Sequence, residues 1–240
     1  KMGRSLVLGV QESNEFTLFG ALESEGNESL GLDAGELAGI GKTGVLLSPR
    51  DESLIEQADV MIDFSSPAAS ISNAEICAEF DTALVIGTTG IDPEQEDGLR
   101  NLAKKVPIFM SPNMSVGMSM LYRLVESAVS TLGRDFDVEI FEAHHSGKKD
   151  APSGTALRLG EVVAAARAVD LQEKAVFDRS GDIRSREPGS IGFSSVRGGD
   201  IAGDHTVILA GDGERLELTH RAHDRRNFVH GALLAASFVC

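Results

Sequence analysis

Short apolar runs alternate with polar, periodic ones over the first half of the chain. KMGRSLVLGV reads as the opening turn of a helix with Leu6, Val7 and Val10 on one face. Five runs then read as strands: FTLFGALE (16–23), GVLLS (44–48), DVMIDFS (59–65), TALVIGTT (82–89) and PIFMSPN (107–113). A glycine-rich excursion separates the first two, and DESLIEQA, PAASISNAEICAEF and DPEQEDGLRNLAKK supply helices before the third, fourth and fifth. Strands alternating with helices at this spacing predict βαβ units and a mostly parallel sheet.

Beyond Ser115 the pattern changes. VGMSMLYRLVESAVSTLG predicts a long helix in which Met118, Met120 and Leu121 belong to the core. A strand, DVEIFEA (137–143), follows, and then SGTALRLGEVVAAARAV predicts a second long helix. Period-two runs come next: KAVFDR, IGFSSVRG, GDHTVILAG and GERLELTHRA, the last two joined by a tight Gly-Asp-Gly turn. NFVHGALLAASFV closes the sequence as a helix. The expected organisation is an α/β domain over residues 1–115, with 226–240 packing back on it, and an α+β domain with a mixed sheet over 116–225.

Composition narrows the function classes. With 22 Lys+Arg against 37 Asp+Glu the formal charge is -15, which argues against nucleic acid or an anionic membrane as a partner over most of the surface. No stretch approaches the ~20 apolar residues of a membrane span, and the first residues lack the apolar run of a signal peptide. Cys77 and Cys240 form neither a disulfide framework nor a metal-binding spacing, which fits a reducing, cytoplasmic setting.

Against that acidic background, EAHHSGKKDAPSGTA (142–156) crowds cations into one loop. His144, His145, Lys148 and Lys149 run directly into Ser153, Gly154 and Thr155, which open a helix whose first amides and hydroxyls suit a carboxylate. Metal ligation has little support, because adjacent histidines on a strand point apart and no third ligand completes a set. Lysine, histidine and an anion-binding helix start together make a site for a small acid. Two turns in the first half lie where cofactors dock, at the carboxyl ends of strands: Gly87, Thr88 and Thr89 in VIGTTG, and Ser111, Pro112, Asn113 and Met114. Gly3 and Glu23 have the spacing of a dinucleotide-binding glycine and the acidic residue that binds the adenosine ribose, although the two earlier glycines of that fingerprint are absent.

The block E-A-H-H-S-G-K-K-D-A-P-S-G-T-A resembles the signature of the dihydrodipicolinate reductase family, and the likeness continues in IDFS, VIGTTG, NMSVG, PGSIGFSSVRGGDIAGDHTV and GERLELTHRAHDR. It covers essentially the whole sequence in order. The resemblance implies a Rossmann-like dinucleotide-binding domain and a substrate-binding and oligomerisation domain. It also implies a first strand and glycine turn of which only Lys1, Met2 and Gly3 remain, and a short further segment after Cys240.

The resemblance further implies a chemistry: a nicotinamide cofactor reduces a cyclic imine dicarboxylate, with His144 and Lys148 as the proton-transfer residues. His145, Gly154 and Thr155 would hold the substrate carboxylates. Met2, Glu23, Gly87, Thr88, Thr89 and the turn from Ser111 to Met114 would hold the cofactor. Asp150 is expected to brace the loop, since a carboxylate beside the substrate would repel it. The partner set is a small dicarboxylate, NADH in preference to NADPH, and further copies of the chain in a homotetramer. The preference rests on Ser24 standing after Glu23, where family members that use both cofactors carry an arginine, with Lys42 as the residue able to take its place. Two alternatives stand beside this reading: another two-domain NAD(P)-dependent oxidoreductase of amino or imino acids, or an inactive nucleotide-binding paralogue.

Overall fold

The structure, a computed structural model, describes residues 2–181 and 185–240; Lys1 lies outside the described residues. The chain divides into two compact units, one running to Met114 and including Arg225–Cys240, the other Ser115–Asp224.

In the first unit every paired strand is parallel, in two separate ladders. Strand β1 (Ala21–Leu22) pairs with β2 (Leu47–Ser48), and β3 (Val60–Asp63), β4 (Ala83–Ile86) and β5 (Ile108–Met110) form a sheet in the order β3-β4-β5. The run 16–23 is therefore shorter as a strand than its apolar pattern predicts. Only Ala21 and Leu22 find a ladder partner, and Phe16 packs instead against an apolar cluster around Leu6. The run 44–48 is trimmed likewise, to Leu47 and Ser48.

The three-stranded sheet is buried on both faces, as its near-continuous apolar strands require. Leu84 and Ile86 face Ile55, Ala74, Cys77 and Leu99, which come from helices α3 (Glu52–Glu56), α4 (Pro67–Phe80) and α5 (Pro93–Leu102). Val85 faces the other way, toward Met114, Leu6 of helix α1 (Met2–Glu12), and Val229, Ala232 and Ala236 of helix α9 (Arg226–Val239). The helix starts are written in the sequence: Ser66 caps α4 with Pro67 next, and Asp92 and Gln95 form a reciprocal capping box on α5. Helix α9 sits so close that a Cβ at Gly231 would run into the carbonyl oxygen of Met114.

Helix α2 (Ala34–Ala38) and the glycine-rich excursion are organised by one carboxylate. Asp33 caps α2 through Gly35 N at 2.8 Å and also accepts from Thr43 N, Thr43 Oγ1 and Gly44 N. The Thr43 amide and its neighbours outweigh burial and hold the Asp33 carboxyl at about 2. Cys77 is buried, and burial pushes its thiol up to about 12.

The second unit is a five-stranded mixed sheet in the order β10-β9-β6-β8-β7. Its strands are β6 (Asp137–His144), β7 (Ala175–Val176), β8 (Ile191–Arg197), β9 (Gly203–Gly211) and β10 (Glu214–Ala222). β6 is central, parallel to β8 and antiparallel to β9. The run KAVFDR yields only the two-residue β7: Lys174 ends a short helix, α8 (Leu171–Lys174), and the strand stops at Val176. Helices α6 (Val116–Leu132) and α7 (Gly154–Arg167) cover one face, where Val138, Ile140, Ile191, Phe193, Val207 and Leu209 meet Met118, Leu121, Val125, Leu159 and Val163. Met120 corrects the helix pattern: it is 53% exposed, one residue off the buried stripe that passes through Met118 and Leu121. Among the described residues no helix is long and apolar enough to cross a membrane.

Candidate active site

The candidate functional side chains of the second unit gather at the carboxyl end of β6. The strand runs one residue further than its pattern predicts, through His144, so Glu142 and His144 share a face by the period of two. Both are buried. His144 Nδ1 lies 2.6 Å from Glu142 Oε2. Arg197, the last residue of β8 and the register partner of His144, grips the same carboxylate with Nη1 at 2.8 Å from Oε2 and Nη2 at 2.7 Å from Oε1. The Ser153 amide adds a donor to Oε1 at 3.2 Å. Burial alone would push the Glu142 carboxyl up, but the hydrogen bonds from Arg197, Ser195 and His144 outweigh it and hold it at about 2.

An ionised carboxylate only accepts hydrogen bonds, so His144 carries its proton on Nδ1 and presents Nε2 as the free nitrogen. Burial lowers the imidazole from its ordinary value; Glu142 opposes the shift, while the charges of Lys148 and Arg197 add to it. The backbone of Gly203 passes Nε2 so closely that a Cβ there would lie 3.1 Å from it. His205 on β9 meets the His144 ring edge-on, with centroids 5.1 Å apart, and burial lowers its imidazole to about 3.

The loop after β6 is tied down on both sides. Gly198 N donates to His144 O at 2.9 Å and Ser146 N to Gly199 O at 3.1 Å, pinning the loop to the β8–β9 connection. Lys148 is inward, its side chain 21% exposed, and pairs with Asp150 at 2.8 Å; Lys149 is exposed. Arg197 Nη2 donates to Asp150 O at 2.6 Å, so one guanidinium braces the chain segments behind both His144 and Lys148. Ser153 caps α7: its Oγ accepts from Ala156 N at 3.2 Å and meets His205 Nε2 at 3.1 Å. Gly154, exposed, and Thr155 form the first turn beyond it. His145 is half-buried and gives its carbonyl to Lys148 N at 3.1 Å.

In the first unit the predicted cofactor residues lie at strand ends and starts. Glu23 follows β1, is exposed, and accepts from Ser24 N at 2.8 Å and Ser24 Oγ at 3.1 Å. Lys42 is drawn toward Glu36, 4.0 Å away, with both side chains exposed. Gly87 leaves β4 beneath the Phe64 ring, which a Cβ would strike. Thr88 is buried and its hydroxyl is committed inward, accepting from Ser65 N at 3.0 Å and meeting Ser70 Oγ at 2.8 Å, whereas Thr89 is exposed. After β5, Ser111 Oγ donates to Asn113 O at 2.8 Å, Pro112 is exposed, and Met114 turns into the core. Met2 opens α1, half-buried against the cluster of Leu6 and Val85, and Gly3 is exposed beside it. Exposed turns at the carboxyl ends of parallel strands, with an exposed carboxylate after β1, fit a dinucleotide.

Arg197, His205 and the role of Glu142 were not predicted. Glu142 was legible in principle, two residues before His144 on an alternating strand. Arg197 and His205 come from other strands, and only the register brings them to the site.

A parallel strand–helix unit with exposed turns at its strand ends, and a second unit carrying a buried histidine–carboxylate pair beside a helix start, place the chain in the two-domain α/β class with a Rossmann-like first unit. The family profile described as dihydrodipicolinate reductase, N-terminus, matches residues 1–114, and its C-terminus counterpart matches 117–240. The 4-hydroxy-tetrahydrodipicolinate reductase of Nitrosomonas europaea is 47% identical over 239 residues, covering 100% of this chain and 89% of that protein. That of Syntrophotalea carbinolica is 45% identical, covering 100% and 90%. The solved dipicolinate-bound dihydrodipicolinate reductase from a Paenisporosarcina species superposes with a TM-score of 0.77 at 25% identity, over 100% of this chain and 90% of that one. The chain belongs to the dihydrodipicolinate reductase family.

The depressed Glu142 carboxyl has a consequence for acid stability. Its contribution is fully present above the ordinary value of 4.5 and is lost as pH falls toward about 2. In urea unfolding at pH 7 and pH 3, Glu142→Gln is expected to be less stable than the parent at pH 7 and to lose less on acidification; an unchanged difference between the two pH values refutes this.

Proposed function

We propose that the chain reduces 4-hydroxy-tetrahydrodipicolinate to tetrahydrodipicolinate with NAD(P)H, a step of lysine and diaminopimelate biosynthesis. The observation that carries this reading is the Glu142–His144 pair with Lys148 and the α7 start beside it, in a chain of this family. The dipicolinate named in the Paenisporosarcina structure is a planar dicarboxylate, the ligand class this cationic loop suits.

In this reading the first-turn amides of α7 at Gly154 and Thr155, with His145, take the substrate carboxylates. Lys148 keeps its ammonium near the dianion and stabilises the electron-rich enamine. His144 takes up a proton at Nε2 and passes it to the ring carbon next to the reduced one, while Glu142 balances the imidazolium through Nδ1–H. Asp150 orients Lys148. The nicotinamide, when bound, would supply the hydride, after loss of water, to the ring carbon conjugated with the imine, which leaves the enamine. Gly87, Thr88, Thr89, Ser111, Pro112 and Asn113 line its ribose and amide, Thr88 through its backbone because its hydroxyl is engaged, and Met114 supports that turn from the core. Met2 stands at the phosphate-facing helix start and Glu23 accepts from the adenosine ribose.

The reading extends to assembly and cofactor choice. Helices α6 and α7 cover one face of the mixed sheet, and the opposite face carries Phe141, Val196 and Ile208 in adjacent strands, with Val196 43% exposed. That surface suits burial against further copies, and a cytoplasmic homotetramer is the assembly we assign. A free, buried Cys77 fits a reducing compartment. NADH is preferred, since Ser24 adds a hydroxyl but no charge beside Glu23, and Lys42 is turned to Glu36.

Three outcomes are expected. Lys148→Ala lowers turnover by roughly 10²-fold or more while Lys149→Ala has a small effect; equal, small effects would make the lysine run a solvated surface. Sedimentation velocity yields a tetramer, and a monomer at micromolar concentration sinks that assignment. Specificity constants favour NADH over NADPH by ~10-fold, the scale of one charge-assisted contact, and Ser24→Arg raises NADPH use; no preference in the parent, or no gain in the arginine variant, contradicts the role given to Ser24.

A further inference from the structure

The hydrogen-bond partners of Arg197 reach both proton-transfer residues without the guanidinium touching either reacting atom. It holds both oxygens of Glu142, the carboxylate that fixes His144, and the carbonyl of Asp150, whose carboxylate holds Lys148 Nζ. From this geometry we propose that Arg197 is a positioning residue of the reaction, locking His144 in the tautomer that exposes Nε2 and keeping Lys148 in register with it. The inference rests on the reading of His144 and Lys148 as the proton-transfer pair.

The chain of causes is electrostatic and geometric. A buried carboxylate with histidine as its only neighbour would draw a proton onto the ring and hold the imidazolium too firmly to give the proton away. Arg197 shares the carboxylate and moderates that pull. Its planar fork suits the two Glu142 oxygens, a match that a lysine ammonium does not reproduce. The charged and titratable groups around His144 come from every neighbouring element: Glu142 on its own strand, Arg197 on β8, His205 on β9, and Lys148 and Asp150 in the following loop. His220 on β10 lies one strand further, as the register partner of His205. Arg197 is the only one of these that touches both Glu142 and the Lys148 segment among the described residues.

The test is nitrogen NMR of the imidazoles in the unliganded full chain, with His144 assigned by comparison with His144→Asn. The parent is expected to show His144 protonated at Nδ1 alone near neutral pH. In Arg197→Gln the ring titrates at higher pH, because Glu142 then faces it without a counter-charge, and the doubly protonated ring replaces the Nδ1–H tautomer near neutral pH. Turnover falls roughly tenfold or more with little change in KM. Arg197→Lys, which keeps the charge and loses the fork, moves every readout the same way by less, and serves if the glutamine variant is poorly folded. A folded variant with the His144 titration and tautomer of the parent overturns the inference. A shifted titration with unchanged turnover upholds the positioning of His144 by Arg197 and overturns instead the assignment of His144 to proton transfer.

Discussion

The buried charge on Glu142 is the constraint on which the second unit depends. A carboxylate at 1% exposure is tolerable only with dedicated donors, and here they arrive from three directions: Arg197 from β8, His144 from the same strand, and the Ser153 amide from the start of α7. Satisfying it therefore fixes the parallel register of β6 with β8 and the position at which α7 begins. The same bonds define which nitrogen of His144 is free. Structure and chemistry are thus set by one group, and a slip of one residue in the β6–β8 register would place Arg197 on the opposite face from Glu142.

A second device repeats beside it. Ser115 and Ser153 each cap a long helix with a hydroxyl that also reaches a histidine ring on the sheet, Ser115 to His220 at 3.2 Å and Ser153 to His205 at 3.1 Å. His205 and His220 are direct partners across β9 and β10. The starts of α6 and α7 are consequently anchored at the same end of the sheet, next to His144. Burial lowers both imidazoles, and neutral rings tolerate the partial positive charge of helix starts far better than imidazolium would. The cationic character of the site is left to residues of the loop.

What could be read from the chain divides along local and non-local lines. Helices with strong caps, such as the ones after Ser66, Asp92 and Ser153, have their starts written in a few consecutive residues, and the strand–helix alternation of the first half follows from periodicity alone. The loop of 145–150 was recognisable as a candidate site because cations crowd there without apolar spacing. Its division of labour was not: Lys148 and Lys149 differ by which side of the loop faces inward. Thr88 illustrates another limit, since a hydroxyl in a promising turn is turned to Ser65 and Ser70, partners some twenty residues away. Met120 and the shortened 16–23 strand show apolar residues whose pattern outran the surfaces available to cover them. Arg197 and His205 were hidden for the most basic reason, that strand order is not a property of any local window.

Gly231 lets α9 lie directly on the backbone of Met114, and Val229, Ala232 and Ala236 complete the core behind Val85. The first unit is therefore discontinuous in sequence, and the second is not. During synthesis on the ribosome the strands β3, β4 and β5 emerge early but wait, with one apolar face covered only in part by α1, for some hundred and ten residues of the second unit to be made before α9 appears. The contiguous mixed-sheet unit can close first. Nascent chains of this protein are thus exposed to chaperones longest at the first unit, and a translational pause between the two units would lengthen that exposure instead of relieving it.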